Sequence, residues 1–141
     1  MDMLRSVDLA IVVAGGSGIA VAFPIIWSLL YDRYWSADIQ RKVCLVWIVR
    51  SREHLQWLPA ERIDELEELG LEVVIPKPSS EAGRADIPTL VTDLVDRLGG
   101  DKKVGVTVSG PGGMDREVRN TCAGLVREGR DVNVQVEKFE W

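Results

Sequence analysis

Residues 9–30 read LAIVVAGGSGIAVAFPIIWSLL, two apolar runs separated by the glycine turn Gly15-Gly16-Ser17-Gly18. The first run, Leu9 to Ala14, is too short for a lone helix and predicts a strand buried on both faces. Pro24 fits the first turn of a following helix, where its missing N–H costs no hydrogen bond. The glycines allow a positive φ and the close approach of a ligand. A strand, a glycine turn and a helix N-terminus together predict an anion site, here a cradle for a nucleotide diphosphate.

Two other interpretations of this stretch stay open at this point. Residues 9–30 carry no charged side chain and are long enough to cross a bilayer, although the glycines and Pro24 are unfavourable in an unpartnered membrane helix. The flanking Asp2, Arg5 and Asp8 do not form the basic region of a signal peptide. The second alternative is a glycine turn that binds nothing, so the rest of the chain must decide.

Composition predicts one globular domain over residues 1–141, with 46% hydrophobic and 28% charged residues. A net charge of −5 gives no basic surface for nucleic acid, so we expect no nucleic-acid partner. Cys44 and Cys122 lie in apolar patterns without metal-ligand spacing, and His54 is the one histidine. We therefore expect buried, reduced thiols and no metal site.

The remainder of the chain alternates strand and helix. The predicted strands are Leu9–Ala14, Lys42–Val49, Leu71–Ile75, Val104–Val108 and Val132–Val136. Such alternation predicts an α/β fold, a doubly wound five-stranded parallel sheet in the order 3-2-1-4-5 with helices on both faces. In that order the glycine turn after strand one meets the turn Ser109-Gly110-Pro111-Gly112-Gly113 after strand four. Because ligands bind at this point of such sheets, the meeting of two glycine turns favours a binding site.

The connections carry ordinary helix and loop signals. Pro59 opens a helix that Gly70 ends, and its acidic outer face is most simply solvated surface. Pro76 to Arg84 predicts a loop suited to a flexible flap, and Asp86 predicts the cap of the next helix. We find no catalytic acid, base or nucleophile in these patterns.

The end of the second strand indicates which nucleotide binds. The first turn departs from the usual dinucleotide fingerprint, because Val21 stands where glycine or alanine is expected. Arg50 and Arg52 follow the second strand, where an acid would hold a ribose 2′-hydroxyl. Arginines there suit a 2′-phosphate and favour NADPH, with NADH as the alternative, although they also fit a solvated strand end.

Five motifs then occur in one order along the chain. They are GGSGI (Gly15–Ile19) with the later Pro24, WIVRSREHLQW (Trp47–Trp57), GRAD (Gly83–Asp86), SGPGGMDREVR (Ser109–Arg119) and EKFEW (Glu137–Trp141). With them the chain resembles the NAD(P)H-binding domain of ferric reductases and NADPH oxidases, which is ferredoxin-NADP reductase-like. The resemblance runs from about Val7 to Trp141 and is greatest to fungal ferric-chelate reductases.

The resemblance implies a role for particular positions. The nucleotide-binding positions that it implies are Gly15, Gly16, Ser17, Gly18, Ile19, Arg50, Ser51, Arg84, Ser109, Gly110, Pro111, Gly112, Phe139 and Trp141. The first turn would lie against the pyrophosphate, Arg50 and Ser51 against the adenosine 2′-phosphate, and Arg84 against another phosphate. Ser109 to Gly112 would lie beside the nicotinamide, with Phe139 and Trp141 covering a flavin. Ala85 and Ser109 depart from the family's proline and cysteine.

The family further implies an NADPH-dependent oxidoreductase in which hydride passes to FAD and electrons then cross membrane haems to ferric iron or oxygen. The flavin-binding barrel and haem helices of the family are absent from this sequence, so we expect a fragment that binds nucleotide without turning it over. The implied partner is the flavin-binding domain of the same parent, at the cytosolic face of a membrane, with no direct membrane insertion of this domain. The alternative function is a non-catalytic nucleotide-sensing or scaffold domain.

Overall fold

The computed structural model describes residue 4 and residues 6–35, 41–110 and 113–137. The strands are β1 (Leu9–Gly15), β2 (Lys42–Ile48), β3 (Leu71–Val74), β4 (Val104–Ser109) and β5 (Val132–Val136). All neighbouring strands are parallel, and their order across the sheet is β3-β2-β1-β4-β5. The predicted α/β fold with strand order 3-2-1-4-5 is therefore confirmed.

Helices connect each strand to the next. They are α1 (Ile19–Trp35), α2 (Ala60–Glu68), α3 (Ser79–Ala82), α4 (Ile87–Leu94) and α5 (Met114–Arg127). Short 3₁₀ helices at Gly16–Gly18 and Arg52–Trp57 follow β1 and β2, and a π-helical turn at Val95–Gly99 extends α4. As predicted, α2 follows Pro59, and the Asp86 side chain caps α4 by accepting a hydrogen bond from Thr89 N at 3.2 Å.

The central strand β1 is buried along its whole length and separates two halves of the core. Successive side chains of a strand point to opposite faces of the sheet. Ala10, Val12 and Ala14 therefore pack with α1 and α2 on one face. Leu9, Ile11 and Val13 pack with α4 and α5 on the other. This two-sided burial explains why the β1 sequence is uniformly apolar.

The prediction for Pro24 is wrong. Pro24 lies inside α1 rather than in its first turn, because the helix already begins at Ile19, directly after the 3₁₀ turn. Ala22, Ile26 and Leu29 are fully buried against the sheet, and this packing outweighs the hydrogen bond that a proline removes. Residues 9–30 thus form a strand and a helix instead of one continuous membrane helix. Among the described residues no helix has the length and apolar character needed to span a membrane.

The segment predicted as a loop over residues 76–84 contains the short helix α3 and is attached to β2. Ser79 N donates a hydrogen bond to Val49 O at 3.1 Å, and Ser80 N donates to Arg50 O at 2.9 Å. The structure therefore fixes this segment beside the carboxyl end of β2. Ser79 and Val49 are 30 residues apart, and the sequence gave no sign of this contact.

Candidate functional site

The carboxyl ends of the three central strands lie level with one another. In the register of the sheet, Gly15 at the end of β1 is opposite Ile48 of β2. Ala14 is opposite Ser109, the last residue of β4. The turns that follow β1 and β4 consequently leave the sheet side by side, at the point where the chain order reverses.

The two glycine turns pack backbone to backbone. A Cβ atom added to Gly18 would overlap the carbonyl oxygen of Ser109 and lie 2.8 Å from its carbonyl carbon. A Cβ added to Gly110 would lie 3.2 Å from the backbone nitrogen of Gly15 and 2.7 Å from Met114 Sδ. Gly18 therefore needs glycine for space and Gly110 packs tightly against Gly15, so the structure brings together the two turns that the sequence analysis singled out.

Two tryptophans support the first turn. Gly16 has a φ of +55°, which side chains rarely allow, and its carbonyl accepts a 3.2 Å hydrogen bond from Trp47 Nε1. The Trp47 side chain is fully buried. The Trp57 ring lies 3.7 Å from the position of a Cβ on Gly16 and stacks on His54 at 4.4 Å between ring centroids. The turn is thus held in one shape by its surroundings.

Ile19 differs from the other predicted contacts of this turn. Its side chain is buried in the core, and its N–H already bonds to the carbonyls of Gly16 and Ser17. Ile19 therefore stabilises the turn and presents no polar group to a ligand. Ser17, in contrast, is exposed at the tip of the turn.

The electrostatic character of the two turns differs. The first turn of α1 contains no acidic residue, so the positive end of that helix dipole faces the edge of the sheet uncompensated. The first turn of α5 carries Asp115 and Glu117, which compensate its dipole. An anionic ligand is consequently favoured at Gly15–Gly18 and disfavoured at the start of α5.

The end of β2 presents arginines and acids together. Arg50 is exposed and lies two residues after the end of β2. Arg52 Nε forms an ion pair with Glu81 Oε2 at 2.7 Å, and this bond raises the pKa of the Arg52 guanidinium. Ser51 Oγ donates a hydrogen bond to Glu53 Oε1 at 3.4 Å. The predicted 2′-phosphate position thus contains both charge signs.

Arg84 lies on the other side of the edge. Its Nη2 forms a 2.9 Å ion pair with Glu117 Oε2 on α5, while the Arg84 side chain remains 73% exposed. The ion pair ties Arg84 to the first turn of α5, which follows the turn after β4.

Ser109 is the polar group buried deepest at this edge. Its side chain is 1% exposed, and among the described residues its Oγ has no hydrogen-bond partner. An orphaned buried hydroxyl is costly unless a ligand or water completes its hydrogen bonding. The atom therefore fits a polar ligand group arriving between the two turns.

Four predicted positions, Pro111, Gly112, Phe139 and Trp141, lie outside the described residues. Within the described part of the chain, no three His, Cys, Asp or Glu side chains are arranged to hold a metal ion. The cysteines are buried, and burial raises the pKa of Cys44 to about 12 and that of Cys122 to about 11.

Glu81, Glu117 and Trp57 belong to this edge and were not predicted from the sequence. The two glutamates reach their arginines across 29 and 33 residues, and an acid–arginine pair at such spacing has no sequence signal. Trp57 ends the quoted motif Trp47–Trp57, so the sequence marked its segment but gave no sign that its ring lies against Gly16.

The strand order is that of doubly wound α/β sheets, a class in which dinucleotides bind at the carboxyl ends of the central strands. Residues 8–76 match the family model described as "Ferric reductase NAD binding domain". This part of the chain, which holds the first glycine turn, Arg50 and Ser51, belongs to that family. The protein is accordingly an NAD(P)H-binding module of an oxidoreductase. A search of curated proteins found no match.

Proposed function

We propose that this chain, as a single domain over residues 1–141, is the NADPH-binding module of a flavin-linked transmembrane ferric-chelate reductase or NADPH oxidase. The observation that carries the proposal is the backbone contact between the two glycine turns at the edge of the sheet. The family match over residues 8–76 supports the nucleotide, and the features below support how it is held.

In this proposal the pyrophosphate lies against Gly15, Gly16, Ser17 and Gly18. Support comes from the uncompensated N-terminus of α1, from the positive φ of Gly16 and from the exposed Ser17. Backbone N–H groups and a helix dipole attract phosphate without any charged side chain. Ile19 contributes by anchoring the turn in the core.

The adenosine 2′-phosphate is proposed to contact Arg50 and Ser51. Arg50 is exposed at the end of β2, and a guanidinium can bind a phosphate through two parallel hydrogen bonds. Ser51 lies beside it, and its hydroxyl would donate to the phosphate in place of its 3.4 Å hydrogen bond to Glu53. Arg84 pairs with Glu117 through Nη2, so this carboxylate would compete with a phosphate for the Arg84 guanidinium.

The nicotinamide is proposed to lie at the second turn, where Ser109 and Gly110 meet Gly15 and Gly18. The orphaned Ser109 hydroxyl supports a polar group of the ligand there. Pro111 and Gly112 continue this turn, and Phe139 and Trp141 are proposed to cover the flavin. When bound, NADPH supplies the hydride, and the protein's own residues position the nicotinamide and exclude water from it.

The parent protein is proposed to hold FAD in a neighbouring domain and haem in its membrane part, with this module on the cytosolic face. The acceptor would be ferric iron or oxygen. A nucleotide-sensing or scaffold domain is the alternative, and nucleotide binding without any hydride transfer in the complete parent would favour it.

Calorimetric titration of the purified chain with 2′-phospho-AMP and with 5′-AMP tests the proposal. We expect tighter binding of 2′-phospho-AMP, and Arg50→Ala should weaken that ligand by about 1–3 kcal/mol while changing 5′-AMP little. Arg127→Ala is the matched control, because Arg127 is an exposed arginine in the last turn of α5, at the opposite edge of the sheet. Equal losses for both ligands would remove Arg50 from the 2′-phosphate.

A further inference from the structure

The ion pair between Arg52 and Glu81 brings a carboxylate from a distant segment to the end of β2, in addition to Glu53, which follows Arg52 in the sequence. Arg52 follows β2, and Glu81 comes from α3, which two backbone hydrogen bonds attach to Val49 and Arg50. Glu81 is therefore not a chance surface neighbour. The same attachment that fixes α3 delivers its carboxylate to the end of β2.

The charges at this position balance. Arg50 and Arg52 provide two positive charges, and Glu53 and Glu81 provide two negative ones. Glu53 accepts a hydrogen bond from Ser51, and Glu81 pairs with Arg52. The end of β2 is thus less attractive to a phosphate than its two arginines alone would make it.

We propose that Glu81 sets the preference of this site between adenine nucleotides with and without a 2′-phosphate, by pairing with Arg52 through Nε and placing a carboxylate that competes with the phosphate for the guanidinium. The proposal rests on the proposed function. Glu81 acts through Arg52 and is therefore a positioning residue. A nucleotide with a free 2′-hydroxyl leaves the pair intact, whereas a 2′-phosphate competes with the carboxylate for the guanidinium and is repelled by it.

The size of the effect follows from the exposure of the pair. The side chains of Arg52 and Glu81 are 69% and 40% exposed, so water and salt screen their attraction. Exposed ion pairs of this kind change an equilibrium constant by up to about fivefold. Glu81 should therefore adjust the nucleotide preference by a factor of about three to five and should not reverse a strong one.

The test is calorimetric titration of the full chain and its variants with 2′-phospho-AMP and 5′-AMP. Glu81→Gln keeps the side-chain length and removes the charge. We expect it to tighten 2′-phospho-AMP about three- to fivefold and to leave 5′-AMP unchanged. The gain should shrink as the salt concentration rises, because the lost repulsion is between exposed charges.

Glu72→Gln is the matched control. Glu72 pairs with Arg97 at 2.7 Å, and its side chain is 40% exposed, like that of Glu81. Its neighbour in the sheet is Cys44, near the amino end of β2 and away from the glycine turns. Glu72→Gln should change the affinity of neither nucleotide.

A double variant separates the proposed role from a structural one. In the presence of Glu81, Arg52→Ala should weaken 2′-phospho-AMP by about the same factor, because it leaves the Glu81 carboxylate unpaired beside the phosphate. In the Glu81→Gln background it should abolish the gain. If 5′-AMP binding changes as much as 2′-phospho-AMP binding, or if neither changes, the role of Glu81 is wrong while the proposed function stands. Failure of every variant and of the wild type to bind either nucleotide would overturn both.

Discussion

Replacement of Gly18 by alanine tests the contact between the two glycine turns. The added methyl group would overlap the carbonyl oxygen of Ser109, with further close approaches of 2.8 Å to the carbonyl carbon and 3.3 Å to Gly110 N. All three atoms belong to the backbone, so no side-chain rotation can relieve the overlap. The ends of β1 and β4 must separate.

The expected cost is that of overpacking a rigid site, about 1–3 kcal/mol in the free energy of unfolding. For a domain of this size each kcal/mol lowers the melting temperature by about 4 °C. Gly18→Ala should therefore melt several degrees below the wild type, and urea unfolding should show the loss as a lower midpoint with an unchanged slope. The free energy of nucleotide binding should fall by more than the free energy of unfolding, because the turn that holds the phosphate is displaced.

Gly124→Ala is the control for the helix preference of alanine. Gly124 lies inside α5, and a Cβ there meets no atom within 4 Å. That variant should be neutral or stabilised by about 0.5–1 kcal/mol. If Gly18→Ala proves as stable as Gly124→Ala and binds nucleotide normally, the close backbone packing of the two turns is refuted.

Three further predictions concern the surroundings of the site and the core. Trp47→Phe should lower unfolding free energy by about 1–3 kcal/mol, because the Gly16 carbonyl loses its donor; urea denaturation measures this, and an unchanged midpoint would contradict it. Cys44 and Cys122, with burial-raised pKa values of about 12 and 11, should resist a thiol reagent at pH 8 until the chain is unfolded, and rapid native labelling would contradict their burial. The hydrogen bonds from Thr89 lower the pKa of Asp86, so this cap stabilises the fold above about pH 4 and loses its effect as the pH falls through the lowered pKa. Asp86→Ala should therefore lose stability relative to the wild type at pH 7 and little at pH 2, and an equal difference at both would contradict the charged cap.

The fold could be predicted because each strand and most helix ends have a pattern in their own local sequence. Two-sided burial makes β1 and β2 uniformly apolar, and the glycine turn and Asp86 mark element ends through the chemistry of single residues. The strand order followed from the alternation of strands and helices, which leaves few topologies for a parallel sheet. Pro24 was misplaced because burial of the inner face of α1 outweighs a local preference.

Only part of the candidate site could be predicted from the sequence. Glycine turns and arginines after strands have local signals, but the acids that pair with Arg52 and Arg84 arrive from distant segments. Their positions depend on how α3 packs beside β2 and on the start of α5. The balance of charge at the end of β2 therefore required the three-dimensional arrangement.

The central claim is that nucleotide binds where the two glycine turns meet, and mapping by NMR tests it most directly. Backbone amide signals of the isotope-labelled chain would be followed during titration with NADPH. The account predicts the largest shifts at Gly15–Gly18, at Arg50 and at Ser109 and Gly110, with little change at the amino ends of the strands around Lys42 and Gly70. Shifts concentrated at that opposite edge, or no shifts at the glycine turns at saturating NADPH, would contradict it.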